Sequence, residues 1–324
     1  MAETIKKRKK IATDAEYTVN PLFPSEIFID LTSFCNHSCI FCSNSRVKNK
    51  RTMQRGLVKK VLREAYKNGT RDIGLYATGE PFLVKNLDEY VAEAKQIGYE
   101  YIFITTNGAL AMPERVKPVL DAGLSSIKFS ISAGTKETYK KIHGKDDFDM
   151  VLQNLKWIAE YRMSSRLDYR IYVTMVYTDM TRHESNILQE LVAPYIDEWD
   201  PHLLTNQCGN KEDNNELGEI EKFNIRGRTK SKICFQPFKS FTVTPEGYIS
   251  ACVLDYQKLL IVGDLNRSTL QEVWTSDVYA GFRKHHLDGS IKGLICYNCI
   301  NNTHEKVTPL LPEYADPLSD KRNE

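Results

Sequence analysis

The chain has 324 residues, and 44 Lys and Arg against 42 Asp and Glu leave a formal net charge of +2. Apolar residues at 41% suffice for a packed core, whereas a balance this near neutral gives no electrostatic footprint for nucleic acid. No apolar run approaches the roughly 20 residues of a membrane span, and the basic stretch from Met1 to Lys10 has no apolar segment behind it, so neither an integral membrane protein nor a secretory signal is expected. The expectation is a cytoplasmic protein whose thiols stay reduced.

In chain order, residues 1–23 read as a basic, flexible tail that includes the charge run Lys6 to Lys10. Residues 25–33 alternate as a strand, and 52–68 follow as a helix. Strand-like 71–78, 101–106, 125–132 and 167–177 then alternate with helical 87–97, 113–121, 147–163 and 182–195, and a weaker strand lies near 202–205. His143 before Gly144 looks like a helix end beside a C-cap glycine. Six βα repeats imply a parallel α/β fold, an open partial (β/α)6 TIM-like barrel over 24–206 whose site lies at the strand C-termini. Residues 207–230 are polar and acidic and read as a linker. In 231–308, residues 240–252 form a hairpin that turns at Pro245-Glu246-Gly247, two helices follow at 269–274 and 277–287, and the whole reads as a small α+β module. His285-His286 is expected on an exposed face, and 309–324 as a loosely attached tail.

The eight cysteines are clustered. Cys35, Cys39 and Cys42 form C-x3-C-x2-C directly after the first strand. In a reducing compartment such a set reads as metal ligands. Three thiolates could hold a 4Fe–4S cluster with one iron open, or zinc with His37 as fourth ligand. Cys234, Cys252, Cys296 and Cys299 could hold a second 4Fe–4S cluster or a structural zinc. Cys208 stands alone between the groups.

These residues resemble the radical S-adenosylmethionine (radical SAM) enzymes, whose signature is C-x3-C-x-aromatic-C; Phe41 fills the aromatic position. Gly79-Glu80-Pro81 is similar to the family's GGEP stretch, which binds the SAM amino group, with Thr78 in place of its first glycine. Asn107, Ser130 and Ser132, at the ends of the third and fourth strands, correspond to positions near the SAM methionine and ribose. The spacing from Cys234 through Gly247 to Cys252, closed by Cys296 and Cys299, resembles the SPASM/twitch extension, in its shorter twitch form with one auxiliary cluster. The resemblance implies reductive cleavage of SAM to a 5′-deoxyadenosyl radical, hydrogen abstraction from a substrate carbon, and an electron donor such as flavodoxin or ferredoxin.

Strand parity places Asp30, Tyr76, Lys128, Arg170 and Tyr172 on lumen faces, where Lys128, Arg170 and Tyr172 are candidates to contact a polar substrate and Asp30–Lys128 is a possible ion pair. Cys208, after the sixth strand, is a candidate hydrogen-atom donor at the barrel mouth, or a small apolar residue. Few residues precede the first strand, so no peptide-recognition domain is expected there. The expectation is oxidation or epimerisation of a small polar molecule such as a sugar, aminosugar or nucleotide-linked sugar. Modification of a ribosomally made peptide, and a zinc-stapled binding protein without catalysis, are the alternatives.

Overall fold

The computed structural model describes residues 17–220 and 233–320; most of the basic tail and part of the expected linker lie outside them. Strands β1 (Glu26–Ile29), β2 (Asp72–Gly74), β3 (Tyr101–Thr106), β4 (Ser126–Ser130) and β5 (Arg170–Thr174) pair in parallel in that order. Beyond a short β6 (Val176–Tyr177), β7 (Glu198–Trp199) closes the series against β5, while β6 pairs with β8 (His202–Leu203). Helices α1 (Arg55–Lys67), α2 (Leu87–Ile97), α3 (Pro113–Asp121), α4 (Lys136–His143), α5 (Phe148–Ser165) and α6 (Ser185–Val192) connect them. Helix α1 buries Val58, Val61, Leu62 and Ala65, the i, i+3, i+4, i+7 stripe of a helix packed on a sheet. Against such stripes lie the outward residues of the strands, among them Ile27, Ile29, Ile73, Ile102, Ile104, Ile127, Ile171 and Val173, all buried in the main core.

The inward faces form two tiers. The lower tier is aromatic rather than polar. The Phe28, Tyr76 and Phe103 rings meet edge-on at 5.8–5.9 Å, and Tyr101 lies 5.5 Å from Phe103. Polar groups lie toward the strand C-termini and also at the opposite end, where Tyr101 Oη donates to Ser126 Oγ and Arg170 pairs with Asp197.

The C-terminal part consists of α7 (Gln236–Lys239), β9 (Thr242–Val243), β10 (Tyr248–Ser250), β11 (Ile261–Asp264), α8 (Leu270–Trp274), α9 (Asp277–Leu287) and α10 (Ile295–Asn301). It continues the barrel sheet: β9 pairs in parallel with β1, through Phe28↔Thr242 and Ile29↔Val243, and antiparallel with β10. Gly247 holds the expected turn at φ 90. Arg283 is fully buried between the Trp274 and Tyr279 rings, 3.9 and 3.8 Å from their centroids.

Three expectations are corrected. The described part of the expected 207–230 linker, residues 207–220, is packed in its first half: Asn210, Lys211 and Asn214 are buried and Asn214 Nδ2 donates to the Phe41 and Thr205 carbonyls, while Asp213, Asn215, Glu216 and Glu219 are exposed. The tail through 320 is pinned: Leu310 N–H donates to Leu259 O, Asp316 N–H to Gln257 O and Ser319 N–H to Arg46 O. His286 is buried against Phe238 and Phe282 instead of facing solvent.

Gly74 lets the aromatic floor close. A Cβ there would lie 2.6 Å from Phe28 Cδ1 and 3.1 Å from Phe103 Cζ. Gly74→Ala is therefore expected to cost about 1–3 kcal/mol, read as a lower thermal unfolding midpoint.

Candidate functional site

The loop carrying Cys35, Cys39 and Cys42 leaves the C-terminal end of β1 and is held from several sides. Asn44 Nδ2 donates to Ser33 O at 2.9 Å and Thr78 O at 2.7 Å, tying the loop to the ends of β1 and β2. The backbone N–H groups of Ser38 and Ile40 donate to His143 O and Ile142 O, so the loop docks on the last carbonyls of α4. Each thiol meets a polar group of a different element: Asn107 Nδ2 at 3.8 Å from Cys35 Sγ, His143 Nδ1 at 3.3 Å from Cys39 Sγ, and Tyr256 Oη at 3.5 Å from Cys42 Sγ. None of the three is in a disulfide and all are partly exposed. Three thiols outside any disulfide, with hydrogen-bond partners around them, suit a cluster that keeps one iron open.

His37, Cys39 and His143 also bring one ligand atom each within 4.8 Å of one another. Proton bookkeeping argues against a metal ion on these three. His143 Nε2 accepts from the Ser132 N–H at 3.1 Å, so Nδ1 carries the proton, and His37 Nε2 is held by Asp147 at 2.9 Å. His37 Nδ1 is buried with no hydrogen-bond partner, so this geometry does not bear against the zinc alternative that joined His37 to Cys35, Cys39 and Cys42.

Gly79 is required by a close approach, because a Cβ would lie 2.1 Å from Thr32 O and 2.5 Å from Phe34 O. The Glu80 carboxylate, beside Pro81, is buried and accepts from Phe82 N, Thr106 Oγ1 and Asn107 N at 3.0, 2.7 and 2.8 Å. It clamps the end of β3 to the end of β2, and burial pushes it up to about 7. Thr78, the departure from the glycine pattern, donates through Oγ1 to Asp30 Oδ2 at 2.5 Å. Asp30 is thus paired with Thr78 and not with Lys128. Asn107 Nδ2 donates to Asn36 Oδ1 at 2.8 Å, which aims it at the cysteine loop. Ser130 ends β4 half-buried on the lumen side. Ser132 is fully buried, its Oγ accepting from Val176 N–H at 3.1 Å and its N–H committed to His143; it supports the site rather than facing it. Phe41 is buried with Ile142 and Leu204.

The three lumen candidates separate. Lys128 Nζ donates to Asp200 Oδ2 at 3.1 Å, and His202 Nε2 lies 3.4 Å from the same oxygen, forming a polar group that starts at the height of Tyr172, with which Lys128 is in register. Tyr172 is buried, and its interaction with Tyr101 places it by the aromatic floor. Arg170 opens β5, at the end away from the cysteine loop, and pairs with Asp197 at 3.1 Å. Parity gives the face of a strand residue but not its height along the barrel.

Cys208 is the largest displacement from expectation. It is 2% exposed and lines one pocket with Cys234, Cys252, Cys296, Cys299, Pro237, Leu260 and Phe282. Hydrogen bonds to Cys252 and Cys299, together with burial, hold its thiol well above the usual range, and the same contact draws Cys299 down. It is turned into the second cysteine site and not toward the barrel mouth. Asn206 Nδ2 anchors its loop to the Asn298 and Cys299 carbonyls at 3.2 Å. Sequence reasoning had no signal for this, since 44 residues separate Cys208 from Cys252 (252 minus 208).

Comparison with known proteins places this geometry. A model of the radical SAM superfamily matches residues 29–191, and a model of the SPASM iron–sulfur cluster-binding domain matches 234–300. A probable GTP 3′,8-cyclase of Saccharolobus solfataricus is 28% identical over 250 residues, covering 76% of this chain and 79% of the relative. The structure is similar to BtrN in complex with AdoMet and 2-DOIA, with a TM-score of 0.58 and 20% identity over 91% of this chain and 98% of that one. It is also similar to Streptococcus suis SuiB bound to precursor peptide SuiA, with a TM-score of 0.67 and 17% identity over 81% of this chain and 67% of that one. Among the described residues no helix is long and apolar enough to cross a membrane.

Burial pushes the Asp30 carboxyl up to about 7, against an ordinary value near ~3.9. A carboxyl raised in the folded state contributes most below its unfolded value, and that contribution is lost as pH rises through its folded one. Thermal unfolding between about pH 4 and 7 should therefore show falling stability, with a shallower fall in Asp30→Asn; an unchanged slope would mean that Asp30 is ionised in the folded protein.

Proposed function

We propose, for a chain that belongs to the radical SAM superfamily and carries a SPASM iron–sulfur domain, a two-electron oxidation at a carbon of a small polar substrate. Its cofactors are S-adenosylmethionine, a 4Fe–4S cluster and auxiliary iron–sulfur. When bound, these supply a 5′-deoxyadenosyl radical able to take a hydrogen atom from an unactivated carbon, and a one-electron acceptor.

In this reading Cys35, Cys39 and Cys42 hold the first cluster. Gly79, Glu80, Pro81 and Asn107 shape the SAM site beside it, Ser130 borders it, and Ser132 and Phe41 support the loop. Cys234, Cys252, Cys296 and Cys299 hold one auxiliary cluster, as in a twitch module. The observation that carries the oxidation is the number of thiols there: five line one pocket. A cluster of four irons then has a protein thiol for every iron, leaving none open to bind substrate and suiting it to accept an electron. Epimerisation through Cys208 is not favoured, because its thiol faces the auxiliary cysteines. Lys128, Asp200 and His202 offer a hydrogen-bonded place for the proton that leaves a substrate hydroxyl during oxidation. The aromatic floor limits depth, which favours a small substrate. The reductant is an external one-electron donor such as flavodoxin or ferredoxin.

A nucleotide substrate is the second reading. The name of the archaeal relatives suggests it, and a cavity beside the cysteine loop is lined by Arg46, Asn210 and Gln257, with Lys211 paired to Asp213 and with Asp320 at its wall.

Two measurements test these assignments. Anaerobically purified protein should hold about eight irons per chain, Cys252→Ala about four, and Cys208→Ala about eight; loss of iron in Cys208→Ala would make Cys208 a ligand. With dithionite and SAM, carbon-deuterated aminosugars, sugars and GTP should be assayed for deuterium in 5′-deoxyadenosine. The expected product is lighter than its substrate by two hydrogens, whereas a product of equal mass would replace oxidation with isomerisation or cyclisation.

A further inference from the structure

The cysteine loop contains a histidine contact that neither the SAM-binding motifs nor the lumen explains. His143, the last residue of α4, is 1% exposed, and its ring stacks on Tyr139 at 4.1 Å with planes 24° apart. Its two nitrogens have different neighbours. Nε2 faces the Ser132 N–H at 3.1 Å, and Nδ1 faces Cys39 Sγ at 3.3 Å. A backbone N–H can only donate, so Nε2 must present its lone pair. The neutral ring then carries its one proton on Nδ1, aimed at the sulfur. With the Ser132 N–H facing Nε2, there is no place for a second ring proton, and the ring is neutral. The helix end that carries it is fixed by Gly144 at φ 71 and by the Ser38 and Ile40 amides on its last carbonyls.

We propose that His143 is a positioning residue that donates Nδ1–H to the Cys39 thiolate and thereby raises the reduction potential of the cluster held by this loop. The inference rests on the reading of Cys39 as a cluster ligand. A hydrogen bond to a ligand sulfur stabilises the more negative, reduced state, so its removal makes reduction harder. Ser132, at the end of β4, sets the tautomer and thus the direction of the bond.

Two variants separate the donor from its support. His143→Asn keeps an amide N–H near the Nδ1 position and loses the acceptor for Ser132. His143→Phe keeps the ring and loses both. Potentials are read by EPR-monitored titration of the full chain without SAM. At the wild-type midpoint the ratio of reduced to oxidised cluster should fall about three- to tenfold in His143→Phe, the tenfold limit being about 59 mV for a one-electron couple. His143→Asn should stay near wild type. A wild-type potential in His143→Phe, or an equal shift in both variants, overturns the proposal. If neither variant folds, the wild type decides. With 15N-labelled histidine, ENDOR of the reduced cluster should show a histidine coupling and an exchangeable proton, and their absence overturns the proposal. Cys39→Ala tests the underlying reading separately: if the EPR signal of the first cluster survives that change, Cys39 is not a ligand.

Discussion

The parallel pairing of β9 with β1 is the constraint on which the rest of the molecule depends. Strand β1 is central, with β2 on one side and β9 on the other. The first cysteine loop leaves its C-terminal end, and Cys252 follows β10, one strand beyond β9. The first cysteine loop and Cys252 therefore ride on one continuous sheet, while Cys296 and Cys299 sit on α10. A hinged auxiliary module could change the separation of two redox sites, whereas ladder hydrogen bonds across β1 and β9 hold it constant. The C-terminal strap, which runs from Leu310 on Leu259 to Ser319 on Arg46, ties the same two regions a second time. Tyr256, from the auxiliary part, then reaches Cys42 of the first loop.

With that frame fixed, the lumen divides its work by height. The aromatic floor of Phe28, Tyr76 and Phe103 fills the lower barrel with side chains, as closed parallel barrels do. Above it, buried carboxylates gather near the strand C-termini. Asp30 and Glu80 are both buried there and both raised to about 7, but neither is free, since each carboxyl is spent on holding one strand end to the next. Their role is rigidity at the mouth. The proposed substrate chemistry is assigned to the Lys128–Asp200–His202 group, whose charged and imidazole groups share one carboxylate oxygen.

The sequence made the chemistry of the cysteines legible, because thiols at fixed short spacing have few other uses. Alternation made the strands and their faces legible, and the hairpin turn at Gly247 was readable from turn residues alone. What stayed hidden was set by long-range approach. Arg170 shares a face with Lys128 but sits at the wrong end, since periodicity of two carries no information on height. Asp200, the partner of Lys128, lies 72 residues away. The polar segment 207–220 resembled a linker because Asn-rich chains usually meet water; here Asn214, and Asn206 just before the segment, bind backbone carbonyls instead, satisfying groups that burial would otherwise leave unpaired. Cys208 was misplaced for the same reason.

The departure from the family pattern at Thr78 is coupled to this support. Where the pattern has glycine, Thr78 supplies a hydroxyl, and that hydroxyl goes to Asp30, beside the first residues of the cysteine loop. Asn44, inside the loop, then takes the Thr78 carbonyl. On the opposite side Ser132 gives its N–H to His143, and His143 faces Cys39. The loop is thus gripped by the end of β2 through one polar chain and by the end of β4 through another. Each chain ends on a group that has only one hydrogen-bonding role, a carbonyl in the first and a backbone N–H in the second. The second end leaves no freedom in the direction of the bond to Cys39, whereas Cys35 and Cys42 meet the side chains of Asn107 and Tyr256.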